Sequence, residues 1–76
     1  MAPEADILKR LGALVRERRE ALDLTQEALA AKAGMNRSYI GDIERGSRNI
    51  ALTNLVKLAA ALDFRLADLI RRLEEG

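Results

Sequence analysis

A polar helix face near the middle of the chain carries the residues best suited to recognising another molecule. At about 100° per residue, Ile40, Ile43 and Glu44 point to one side of this helix. Small and charged residues occupy or flank the other side, which we call the outer face: Arg37, Ser38, Gly41, Asp42 and Arg45. Most polar faces are only solvated, but a glycine in mid-helix costs about 1 kcal/mol relative to alanine. Close approach to another surface would explain Gly41.

These residue types do not form an enzyme site. The sequence contains neither histidine nor cysteine, so the commonest general base is missing, and it shows no metal-ligand cluster. The remaining polar candidates have no base or metal to organise them: Ser38, Ser47, Asp42 and Glu44. We therefore expect no catalytic activity, no cofactor and no metal ion.

Composition restricts the class of protein further. Charged residues nearly cancel to a net charge of +1, so bulk charge does not indicate a nucleic-acid partner. A basic cluster in the first helix is explained equally well by DNA contact or by a solvated surface: Lys9, Arg10, Arg16, Arg18 and Arg19. No apolar run approaches the roughly 20 residues of a membrane span. The first residues, MAPEAD, lack the basic-then-apolar order of a signal peptide. We expect a soluble cytoplasmic protein.

Apolar residues recur at helical spacing, which predicts an all-α chain of five short helices. The first helix begins near Pro3 and runs to about Leu22. The fourth and fifth helices carry two apolar sets: Leu52, Leu55, Leu58, Ala59 and Leu62, then Phe64, Leu66, Leu69, Ile70 and Leu73. Short loops favour a compact bundle, so we expect residues 1–76 to form a single domain.

The second and third helices meet at a glycine. Thr25 and Asn36 are predicted N-caps of these helices, and Gly34 and Gly46 are predicted to end them. Two helices joined by a turn of three or four residues that contains glycine form the helix-turn-helix signature, here over about residues 25–45. The second helix of such a motif typically enters the DNA major groove. Similar turns also occur in proteins that never bind DNA, so spacing alone leaves both interpretations open.

Four segments together resemble the Cro/C1-type, XRE-like helix-turn-helix family: LGALVRERR, LTQEALAAKAG, SYIGDIERGSRN and LTNLVKLAAALDFRLADLI. The resemblance extends from about Leu11 to Ile70. Within the family, MNRSYIGDIERGSRNI is most similar to the small controller proteins of restriction-modification systems. The resemblance implies a compact five-helix, lambda-repressor-like domain that binds DNA.

The resemblance also implies roles for individual residues. The positions that would face bases in the recognition helix are Arg37, Ser38, Gly41 and Asp42. The positions that would contact the DNA backbone are Gln26, Tyr39, Arg45, Ser47, Arg48 and Asn49, because phosphate contacts position a protein while base contacts select a sequence. Arg19 and Glu44 would form a structural ion pair that is typical of the family.

The chain departs from the family pattern around the last two helices. Ile50 stands where proline is common, and Ala51 replaces a serine cap. Asp63 replaces a glycine, which is tolerable because aspartate adopts the left-handed conformation at modest cost. Arg65 replaces a usual cap. These departures affect helix boundaries rather than the fold.

The resulting hypothesis is a sequence-specific transcription regulator that binds palindromic double-stranded DNA as a homodimer. An apolar band on the last two helices exceeds the Leu52, Leu55, Leu58 and Leu62 set that one core would take, and predicts the dimer interface. Its central residues are Val56, Phe64, Leu66 and Ile70, joined by Leu69 and Leu73.

Two alternatives stay open: the band completes the monomer core, or the chain is a protein-interaction module such as an antitoxin. The operator, the regulated genes, and the choice between activation and repression stay open.

Overall fold

The computed structural model describes residues 4–75, with side chains from Asp6 onward. Within these residues, five helices follow one another: α1 (Glu4–Ala21), α2 (Gln26–Ala33), α3 (Arg37–Glu44), α4 (Leu52–Ala61) and α5 (Leu66–Glu75). The described part of the chain contains no strand, and this confirms the predicted all-α fold. Among these residues, no helix is long and apolar enough to cross a membrane. The predicted helix start at Pro3 lies outside the described residues.

Local capping chemistry defines α2 and α3. The Thr25 hydroxyl accepts a hydrogen bond from the Ala28 amide at 3.0 Å, and the Asn36 side chain accepts one from the Tyr39 amide at 2.9 Å. Both bonds satisfy backbone donors that a helix start leaves without partners. Gly34 ends α2 in the left-handed conformation with φ 71°. The predicted caps and the turn between the two helices are therefore confirmed.

The core lies between all five helices. Its largest fully buried side chains are Leu29, Ile40, Ile43, Leu58, Leu62, Leu69 and Val15. Two expectations about the last helices are wrong. Leu69 and Leu73 belong to this core rather than to an external band, whereas Leu52 is 69% exposed. The side of α4 that faces inward is set by its contacts with α2 and α5, which helical spacing alone does not reveal.

The connection between α4 and α5 differs from the expectation in one respect. Phe64 precedes α5 instead of lying within it, and its half-buried side chain packs against the core. Asp63 adopts the left-handed conformation with φ 52°, as its replacement of glycine suggested. At the start of α4, Ala51 makes no side-chain capping bond. The start of α4 therefore depends on packing rather than on a capping side chain.

Arginines of α1 fasten that helix to the ends of α4 and α5. Arg10 donates to the Leu73 carbonyl at 3.1 Å, and Arg18 donates to the carbonyls of Leu62 and Asp63 at 2.9 and 3.2 Å. A cation at a helix C-terminus satisfies free carbonyls and favours the dipole. Arg10 and Arg18 are therefore structural, a role that neither DNA contact nor a solvated surface had predicted for them.

Candidate nucleic-acid interface

The inner side of α3 rests directly on α1. Ile40 and Ile43 are buried, and Gly12 of α1 lies against the end of α3. A Cβ atom at Gly12 would be 2.5 Å from the carbonyl oxygens of Ile43 and Glu44, closer than real Cβ contacts allow. The two helices can approach this closely only with glycine at this position. The position of α3 on the domain is therefore fixed by backbone contact as well as by side-chain packing.

Glu44 anchors the C-terminal end of α3. Arg19 donates two hydrogen bonds to its carboxylate, at 2.7 and 3.1 Å, and a third to the Leu24 carbonyl at 2.8 Å. The side chains of Arg19 and Glu44 are only 12% and 6% exposed. The pKa of Arg19 is raised above its ordinary value, chiefly because its side chain donates to Glu44. Arg19 therefore stays charged at physiological pH, and its two bonds to Glu44 hold the end of α3 against α1.

Gln26, the predicted phosphate contact at the start of α2, joins this ion pair. Its amide nitrogen donates to Oε1 of Glu44 at 3.1 Å. An amide nitrogen carries two hydrogens, so one remains for a phosphate oxygen. The structure therefore links the start of α2 to the end of α3 and remains compatible with the predicted contact.

The outer face of α3 is less open than the sequence suggested. Arg37 is exposed and lies 3.8 Å from Glu27, and Ser38 is exposed and donates to Asn36 at 2.8 Å. Gly41, however, is buried, because the guanidinium of Arg45 lies over it. In the free chain the Arg45 side chain therefore covers Gly41, and the role of Gly41 as a base-facing position stays a prediction.

Asp42, the remaining predicted base-facing residue, is half-buried in a cluster of charges. Arg45 donates a short hydrogen bond to its carboxylate, and Arg48 lies 3.7 Å from it. The Ser47 hydroxyl also donates to the Asp42 carbonyl, at 3.2 Å. Asp42 therefore organises the segment that follows α3.

Tyr39 connects α3 to α4 beside this cluster. Its hydroxyl accepts a hydrogen bond from Asn54 of α4 at 3.2 Å, and the Arg48 guanidinium lies 4.8 Å from its ring centroid. Such a cation–π contact contributes about 0.5–1 kcal/mol at an exposed site. The predicted backbone-contact residues Tyr39, Arg45, Ser47 and Arg48 thus lie together, and Asn49 is exposed next to them.

Residues 15–69 match the helix-turn-helix family HTH_3. The chain belongs to this Cro/C1-type, XRE-like family. Within the matched residues, α2, the turn at Gly34 and α3 have the arrangement of a helix-turn-helix motif, whose second helix is typically the recognition helix.

Restriction-modification controller proteins are among the relatives of this helix-turn-helix chain. Control protein C.MunI from Mycoplasma sp is 39% identical over 71 residues, which cover 92% of this chain and 96% of that protein. The crystal structure of controller protein C.AhdI from Aeromonas hydrophila is 48% identical with a TM-score of 0.79, covering 82% of this chain and 94% of that one. The C.Esp1396I tetramer in complex with its natural 35 base-pair operator is 29% identical with a TM-score of 0.82, covering 91% of each chain.

Sequence reasoning missed two residues that position the recognition helix. Gly12 carries the same signal that singled out Gly41, a glycine in mid-helix without a turn, and this signal could have identified it. Asn54 carries no such signal, because its contact with Tyr39 joins two helices whose relative position only the folded chain shows.

Proposed function

We propose that this helix-turn-helix chain is a controller-type transcription regulator that binds operator DNA as a homodimer. The observation that carries the proposal is the two-sided character of α3. Its inner side is buried and fixed to α1, while Arg37 and Ser38 are exposed at its first turn. In helix-turn-helix proteins the N-terminal residues of the recognition helix contact base edges. A regulator of this kind works where the DNA is, so we also propose a cytoplasmic location.

Arg37 is the proposed principal base contact. It is the long basic side chain at the start of α3, its side chain is 61% exposed, and its only described ionic partner is Glu27 at 3.8 Å. Arginine that donates both hydrogen bonds of its guanidinium edge to guanine is the commonest specific contact in the major groove. Backbone contacts by Gln26, Tyr39, Arg45, Ser47, Arg48 and Asn49 belong to the same proposal.

The proposed dimer surface is narrower than the sequence suggested. Large apolar side chains are exposed at three positions on α4 and α5: Leu52 at 69%, Val56 at 47% and Ile70 at 37%. Phe64 and Leu66 are half-buried against the core, so they would contribute only at the margin. Exposed apolar patches on small domains mark interaction sites. A two-fold axis there would place two recognition helices about 34 Å apart, one turn of DNA.

The test begins with DNA fragments selected from a random pool by the chain itself. Binding of the selected duplex is then measured by fluorescence anisotropy at several salt concentrations, and mass by sedimentation. Val56→Asp should give a folded monomer that binds the palindromic site poorly. Lys57→Asp, which introduces the same residue at the next position of α4, should remain a dimer in sedimentation. A folded chain that selects no DNA would instead favour the protein-interaction alternative, such as an antitoxin.

A further inference from the structure

The charged cluster on α3 has an arrangement that simple phosphate binding does not require. Arg45 and Arg48 both approach the carboxylate of Asp42, although both are predicted to contact phosphates. The guanidinium of Arg45 also lies over Gly41, where an added Cβ would be 3.2 Å from Nη1. In the free chain the Arg45 side chain therefore lies back across α3.

We propose that Asp42 is a specificity-determining residue that holds Arg45 and Arg48 away from phosphates until a base amino group replaces them. This inference rests on the proposed function. A carboxylate in the major groove accepts a hydrogen bond from the N4 amino group of cytosine. A C·G pair opposite Asp42 would thus take over its carboxylate and release both arginines to the phosphates.

The exchange is easy because all three side chains are accessible. The side-chain exposures are 32% for Asp42, 66% for Arg45 and 53% for Arg48, and ion pairs at such exposure are weak. On DNA without cytosine at that position, no base amino group replaces the arginines. If Arg45 and Arg48 then left Asp42, its carboxylate would have no partner and would lie close to the negatively charged phosphates. The two ion pairs would then stay intact, and fewer phosphates would be neutralised.

Salt dependence measures this difference. Each neutralised phosphate steepens the slope of log K against log salt by about 0.9 on B-DNA. The cognate complex should therefore have a slope steeper than the complex with random DNA by about 1 to 2. Asp42→Asn removes the charge that restrains the arginines. With this variant the slope on random DNA should approach the cognate slope, and random DNA should bind about three- to tenfold more tightly at low salt.

Asp68→Asn is the matched control. Asp68 lies 3.3 Å from Arg71 in the same i,i+3 arrangement, but on α5, which packs mainly against α4 and α1. The experiment compares wild type, Asp42→Asn and Asp68→Asn on the selected duplex and on a random duplex of equal length. The control should leave both slopes unchanged, and circular dichroism melting reports whether each variant is folded.

The outcomes separate this inference from the proposed function. Unchanged slopes in Asp42→Asn, or equal changes in Asp68→Asn, would overturn the role of Asp42 while wild type still binds DNA. A folded wild type without salt-dependent binding to any duplex would overturn the proposed function itself. If Asp42→Asn does not fold, the double variant Arg45→Gln and Arg48→Gln provides the test. It should remove the difference in slope between cognate and random DNA, and a persisting difference would also overturn the inference.

Discussion

The arginines of α1 and those around α3 are alike in type but differ in their partners. Arg18 and Arg19 donate to backbone carbonyls and to a buried carboxylate. Among the described residues, the carboxylates that pair with Arg37, Arg45 and Arg48 are the exposed Glu27 and the half-buried Asp42, and Arg48 also lies over the Tyr39 ring. A carbonyl at a helix end or a buried carboxylate cannot be given up without a cost, whereas an exposed ion pair is easily exchanged. The location of basic residues in a sequence therefore indicates DNA contact less well than the partners those residues have in the fold.

Loss of the buried ion pair should have the largest effect. Glu44→Ala leaves the charge of Arg19 buried without its partner, at a cost of about 3–5 kcal/mol. Since small domains have a total stability of about 5–15 kcal/mol, the melting temperature should fall sharply. In Glu20→Ala, which removes an exposed partner of Arg16, the melt should hardly change. If Glu44→Ala melts normally but no longer binds DNA, the carboxylate belongs to the interface instead.

Removal of an α1 arginine should have an intermediate effect on stability and little on DNA binding. Arg18→Met keeps an unbranched apolar stem but loses the hydrogen bonds to Leu62 and Asp63. Hydrogen bonds to charged groups contribute about 1.5–3 kcal/mol, which urea denaturation would detect. Arg16→Met is the control, since Arg16 contacts only Glu20 among the described side chains. A lower salt slope with unchanged stability would instead show that Arg18 contacts a phosphate.

Arg37→Ala should give the reverse pattern. Its side chain is exposed, so stability should not change, but binding to the cognate site should weaken by about 1–3 kcal/mol. The preference at one base position of each half-site should relax. Arg71→Ala removes an equally exposed arginine of α5 and serves as the control in anisotropy measurements. Equal weakening on cognate and random DNA would mean that Arg37 contacts phosphate only.

The smallest expected effect is that of replacing Gly41 on the outer face of α3. In Gly41→Ala the new Cβ meets the flexible end of Arg45 at 3.2 Å, so the helix should gain about 0.5–1 kcal/mol. Cognate DNA binding should nevertheless weaken if bases approach this position. Gly34→Ala should destabilise the chain instead, because Gly34 has φ 71°. Unchanged affinity in Gly41→Ala would show that DNA does not approach α3 there.

The sequence predicted the features that depend on neighbouring residues. Thr25, Asn36 and Gly34 define helix ends through contacts within three or four positions, and the structure has them as expected. Leu52 was expected in the core but is exposed, and Leu69 was expected in the external band but is buried. Helical spacing identifies an apolar side of a helix without showing which other helix covers it. The partners of Arg18 lie 44 and 45 residues away, so no local pattern could reveal them.

The site was predictable to a similar extent. Helical periodicity identified the outer face of α3, and the family resemblance supplied the pairing of Arg19 with Glu44. The position of Arg45 over Gly41 was not predictable, because it depends on the conformation of the Arg45 side chain. That side chain can either bond to Asp42 or extend into solvent. Residue types showed which side chains could bind DNA but not which of them already have partners.

The close contact at Gly12 has a consequence for the operator. Because the end of α3 rests on the backbone of α1, α3 cannot shift within the domain to fit a DNA groove of a different shape. Any mismatch in shape must then be absorbed by the DNA, whose pyrimidine–purine steps kink most readily. We therefore expect selected fragments to be enriched in TA or CA steps at base pairs that no side chain touches, and an even step composition there would contradict this expectation.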